Sequence, residues 1–250
     1  MMRNQMRTAL VVFIELFLLI VNAAGIAMTT SYFGTKAPEE PKEVGDIVFS
    51  DGSATPLALV NTLTAKQRNA VVAYIFYSGI DCSDNEINRT LGVGLKRSST
   101  NVQWCSPLAE ASNKNIDTIQ ENVKNGSQNL AKIGNWLTVH PTKDQHFTDD
   151  TSVAANYPAF YYAKNYGIAN ALPGMYAKGW YLPSKTELEK VYDQREMIDA
   201  VCALCSLSDK FSNVWFWSST QYAFNSHYAC KMYFFCGKSY GSAVCAIREF

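Results

Sequence analysis

Seven cysteines and three histidines carry the most reactive side chains of this 250-residue chain, and their spacing limits the chemistry open to them. Cys202-x-x-Cys205 has the spacing of a redox pair or half a zinc site. No second such pair and no histidine pair at metal spacing accompanies it, and it falls late in a helical pattern rather than after a strand. A packed thiol pair or a local disulfide is the simpler reading. Cys82, Cys105, Cys230, Cys236 and Cys245 stand apart, and an odd count leaves at least one thiol free. His140 and His146 flank Pro141 in a polar stretch, far from His227, so all three read as solvated or structural residues. HExxH, GxSxG and a phosphate-binding loop are absent. Neither catalysis nor a metal or other cofactor is expected from these patterns.

Charge is balanced, with 22 basic against 22 acidic residues, which argues against a nucleic-acid partner. Arg3 and Arg7, the apolar run from Ala9 to Val21 and the small residues Ala23, Ala24, Gly25 and Ala27 follow the order of a secretory signal. Residues 1–27 are therefore expected to be a signal peptide or N-terminal anchor, the only route to a membrane, and the protein to be exported to the periplasm, cell surface or medium. Glu15 interrupts the apolar run, which weakens the anchor reading, and no cysteine follows to accept a lipid. Residues 28–43, rich in Pro and charge, read as a flexible linker before one domain over 44–250.

Within that domain, VGDIVF (44–49) predicts a strand closed by an Asp51-Gly52 turn, Thr64 caps a short helix, and VVAYIFY (71–77) predicts a central strand. Arg89 to Leu95 reads as a further strand. Helices are expected over about 115–123 and 128–137, the latter with Leu130, Ile133, Trp136 and Leu137 on one face. Tyr157, Phe160 and Tyr161 fall at helical spacing, and Ser184-x-x-Glu187 is a capping box opening a helix to about Leu204.

The last stretch, residues 215–250, alternates aromatic and polar residues in short runs broken by Gly237 and Gly241, as a hairpin and closing strand would. Period-two alternation points Met232 and Phe234 inward and Lys231, Tyr233 and Phe235 outward. Its framework, WFWSSTQYA from Trp215 and VCAIREF to Phe250, together with GWYLPSKTEL from Gly179, resembles the formylglycine-generating-enzyme branch of the C-type-lectin fold. Within that branch it is similar to the variable proteins of diversity-generating retroelements. The resemblance covers roughly 44–250 and implies an α+β fold of small twisted β-sheets with flanking helices.

It also implies a bacterial cell-surface binding protein in which template asparagine codons (AAY) are rewritten at their adenines. The implied ligand-binding, variable positions are Phe224, Asn225, Ser226, His227, Cys230, Lys231, Tyr233, Phe235, Cys236, Lys238 and Tyr240. Fold relatives that oxidise a cysteine carry an RGGSW-like, arginine-rich context that this chain lacks, so Cys230 and Cys236 are read as variable rather than catalytic. EPN, QPD and WND, the calcium-ligating signatures of sugar-binding relatives, are absent as well. Partner expectations are a protein or surface-polymer ligand, with a fixed adhesin or structural module of the same fold as the alternative.

Overall fold

The apolar run beginning at Val71 forms the central strand of the domain in a computed structural model that describes residues 31–139 and 150–250. The strands are β1 (Asp46–Phe49), β2 (Ala54–Pro56), β3 (Val71–Gly79), β4 (Arg89–Val93), β5 (Val102–Gln103), β6 (Tyr228–Cys230), β7 (Phe235–Gly237), β8 (Gly241–Ser242) and β9 (Ile247–Glu249). Five of them make an antiparallel sheet in the order β2-β1-β3-β4-β9, while β5 pairs with β8 and β6 with β7 in two small antiparallel sheets. The helices are α1 (Ala65–Ala70), α2 (Asn129–Val139), α3 (Asp150–Asn156), α4 (Pro158–Lys164), α5 (Tyr166–Ala169), α6 (Lys185–Asp193) and α7 (Arg195–Leu204). The chain is thus mixed α+β with small antiparallel sheets and helices. No helix among the described residues is long and apolar enough to cross a membrane.

Because successive strand residues face opposite sides, β3 feeds two cores. Ala73 and Ile75 join Trp104, Phe160, Trp180 and Trp217 on one side. Tyr74 and Phe76 join Leu188, Val191, Ile198 and Phe216 on the other. The closing segment does the same: Val244 and Ala246 enter the first core, Cys245 and Ile247 the second. Both capping boxes form. Thr64 Oγ1 accepts from the Gln67 amide at 3.2 Å and opens α1, and Ser184 Oγ accepts from the Glu187 amide at 3.1 Å and opens α6.

Three expectations need correction. Residues 115–123 hold only a short 3-10 turn at Asp117–Ile119, because Gln221 takes the backbone groups a helix would need. Its Oε1 accepts from Ile116 N–H, its Nε2 donates to Lys114 O, and its own N–H donates to Ile119 O. The helix from Ser184 breaks at Gln194 into α6 and α7. Finally, the part of the expected flexible linker from residue 33 to 43 is docked. The amides of Phe33, Gly34 and Thr35 donate to Asp51, Ser53 and Thr55, Lys36 bridges to Ala54, and the compact unit runs from Phe33 to Phe250. The expected signal peptide (1–27), His140 and His146 lie outside the described residues.

Candidate ligand-binding surface

A hydrogen-bonded polar framework carries the C-terminal hairpin. Trp104 Nε1–H donates to Ser218 O at 2.8 Å while Trp217 Nε1–H donates to Val102 O at 2.9 Å, so the two tryptophans clamp two segments more than a hundred residues apart. Ser218 donates from both its amide and its hydroxyl to Cys230 O, Cys230 N–H donates to Thr220 O, and Asn129 Nδ2 donates to Ser219 Oγ. Buried polar groups are tolerated when paired in this way. Ser218, Ser219, Thr220 and Gln221 are all fully buried.

From this base, β6 and β7 project as a hairpin joined by a tight turn in which Lys231 N–H donates to Phe234 O at 2.8 Å. Residues 231–234 are turn rather than strand, so alternation fails there. Met232 is buried as expected, yet Phe234 is exposed and Lys231 is buried, the reverse of the expected orientation. The Lys231 ammonium sits 4.7 Å from the Trp217 ring centroid and 5.3 Å from that of Phe234, a cation–π arrangement that holds its charge inside. Burial lowers its pKa, with Cys236 opposing.

Two further expected site residues are corrected. Lys238, 1% exposed, donates from Nζ to Ala111 O and lies 4.9 Å from the Trp104 ring centroid; burial pushes its pKa down to about 8. Cys230 is buried at the start of the turn, and burial pushes its thiol up to about 12, away from thiolate chemistry. Lys238, Lys231 and Cys230 therefore belong to the hairpin's foundation. No disulfide joins any of the seven cysteines, Cys202 and Cys205 included.

The remaining expected positions are exposed or half-buried along the hairpin and its flanking segments. Phe224 is 87%, Tyr233 72% and Tyr240 68% exposed, Phe235, Asn225 and His227 are exposed, and Ser226 and Cys236 are half-buried. Sequence reasoning omits Tyr228, Phe234 and Ser239, which are also exposed, and the half-buried Tyr222, whose ring stacks on Phe235 at 3.8 Å and 11°. The exposed aromatics extend onto the framework. Tyr233 packs against Trp215 and Tyr192, and with Arg195 and Asn213 these line a cleft of about 300 Å³ beside the hairpin tip.

A split in stability follows from these placements. Phe224→Ser and Tyr233→Ser should each shift unfolding free energy by no more than about 0.5 kcal/mol, whereas Met232→Ala should cost about 2–4 kcal/mol. Thermal denaturation of the three variants checks the assignment; equal losses would contradict it.

No family model matches the chain, and no curated protein matches it. Among solved structures, a fimbrial protein from Bacteroides ovatus is similar with a TM-score of 0.54 at 13% identity, over 84% of this chain and 49% of that one. The chain spans about half the length of that protein, and at this identity the likeness concerns fold alone.

Proposed function

We propose that this protein is an exported binding protein of the C-type-lectin fold whose C-terminal hairpin is diversified by a retroelement to meet changing ligands. One observation carries this reading. An AAY codon altered only at its adenines keeps a pyrimidine in third place and so never specifies Lys, Met, Trp, Gln or Glu. Between residues 222 and 241 every exposed or half-buried residue is of a reachable kind, and the unreachable ones, Lys231, Met232 and Lys238, are all buried. Lys, Glu and Gln ordinarily crowd exposed surface, as Glu40, Lys66 and Glu86 do elsewhere in this chain. Their absence from this face is what codon-limited variation would leave.

The chemistry of the face suits binding. Exposed aromatic rings supply contact area with little entropy to lose, and Ser and Asn adapt their hydrogen bonds. Each well-placed ring anchors up to about 2 kcal/mol or more of affinity. Partners of this kind are proteins or surface polymers. Support for the lectin-type fold comes from the return of the terminal strand β9 to the sheet beside β4 and from the small sheets that carry the hairpin. Non-enzymatic action agrees with the burial of Cys230 and Lys238.

A fixed surface module of the same fold is the second reading, favoured by the likeness to a protein described as fimbrial. Deep sequencing of the gene's 3′ end across a clonal population separates the two. Diversification predicts substitutions at the exposed positions between 222 and 241, with Trp217, Ser218, Lys231, Met232 and Lys238 constant. An invariant segment with no nearby template copy would establish the fixed module.

A further inference from the structure

A second pocket, away from the hairpin, opens between the end of α1, the start of β3, the segment after β4 and α5. It measures about 340 Å³. Two cationic side chains, Arg68 and Lys96, line it, and no acidic residue does. Neither forms an ion pair among the described residues; the one bond from the Arg68 guanidinium is Nη1 to the backbone carbonyl of Leu63 at 2.7 Å. The neighbouring Arg97, by contrast, is matched by Asp209 at 3.7 Å. Tyr166, 3% exposed, accepts the Lys96 amide at its hydroxyl oxygen, and its hydroxyl hydrogen has no acceptor among the described residues. Val72, Leu95 and Leu172 supply apolar wall.

We propose that this pocket binds a small organic anion, its acid group held by Arg68, Lys96 and the Tyr166 hydroxyl and its apolar body set against Val72, Leu95 and Leu172. A guanidinium and a phenolic hydroxyl offer directed donors to carboxylate or phosphate oxygens. The volume exceeds what an inorganic oxyanion fills, and a few polar groups among apolar walls are the usual build of a small-molecule site. The inference is independent of the hairpin's role.

Phenyl phosphate is the probe, titrated into the full chain and followed by amide NMR shifts, with inorganic phosphate and phenol in parallel. Saturable shifts confined to residues around Asn69, Val72, Leu95 and Lys96 are expected. The double variant Arg68→Gln, Lys96→Gln should weaken binding by about tenfold or more while its amide spectrum keeps the native dispersion. Added salt should weaken binding in the wild type. Absent or scattered shifts, equal affinity for inorganic phosphate or for phenol, or an unaffected double variant would each overturn the assignment.

Discussion

Replacing Glu187 with alanine is expected to lower the free energy of unfolding by about 3–5 kcal/mol. Glu187 is fully buried and its carboxylate accepts four hydrogen bonds: from Arg89 Nη1 at 2.7 Å, Tyr181 Oη at 2.9 Å, Ser184 N at 2.8 Å and Gly126 N at 3.0 Å. Arg89, itself buried, also donates to Cys82 O and reaches Glu249 Oε2 at 3.3 Å. One carboxylate therefore joins β4, α6, the Gly126 turn and, through Arg89, β9. Burial raises the Glu187 pKa, while Arg89 and the amides oppose it; the four donors favour the charged form. Removing it leaves the buried guanidinium with only the half-exposed Glu249 carboxylate at 3.3 Å, and that poorly compensated charge makes the loss large. Glu187→Gln keeps an acceptor but not the charge and should lose less. Pairing Glu187→Leu with Arg89→Met should recover much of the loss, because no charge is then left buried. Chemical denaturation of the four proteins measures this; a Glu187→Ala loss under about 1 kcal/mol, as for exposed ion pairs, would contradict it.

Glu187 also marks how far the sequence can be read. The local pattern Ser184-x-x-Glu187 identifies a capping box, since both partners lie within one helical turn. Nothing local identifies Arg89, ninety-eight positions away, as the counter-charge. The same divide runs through the fold. Strand β3, α1 and α2 are legible because hydrophobic period and caps are short-range signals. The missing helix at 115–123 is not, because its competitor Gln221 arrives from the far end of the chain.

The candidate surface is legible in its exposed aromatics and misleading in its lysines. Charged side chains are almost never fully buried without a partner, so sequence reasoning places Lys231 and Lys238 in solvent. Their partners are the faces of Trp217 and Trp104, and no local pattern pairs either lysine with its ring. Alternation fails for a related reason: it holds along a strand and not through the turn at 231–234, which sends Phe234 out beside Trp215, their ring centroids 5.0 Å apart. Third-base reasoning on AAY codons does separate Lys231 and Lys238 from their neighbours, since neither lysine is reachable from such a codon.

Lys238 should be as sensitive a point of the hairpin as Met232. Lys238→Ala removes a buried stem and leaves Ala111 O, which Nζ meets at 2.5 Å, without that donor, so a loss of about 2–4 kcal/mol is expected. The pH dependence carries a definite sign. Burial lowers the folded-state pKa from 10.5 to about 8, with Cys105 opposing, so folding disfavours the charged form. Below pH about 8 both folded and unfolded chains hold the proton and the full penalty applies. Between about 8 and 10.5 the folded chain releases it first, the unfolded chain binds more protons, and stability contributed by this group rises with pH. Buried thiols act the other way in the same range: Cys230 and Cys245, both raised to about 12 by burial, favour the folded state less as pH climbs. The Lys238 contribution is isolated by subtracting the unfolding free energies of Lys238→Met, which keeps an unbranched apolar stem without the ammonium. The difference, wild type minus variant, should increase from pH 8 towards 10.5 and be flat below 8. A difference that stays flat across that window and falls only above about 10.5 would mean that Ala111 O and the Trp104 face stabilise the ammonium more than burial destabilises it. Lys238 would then be a charged anchor under all conditions in which the hairpin is folded.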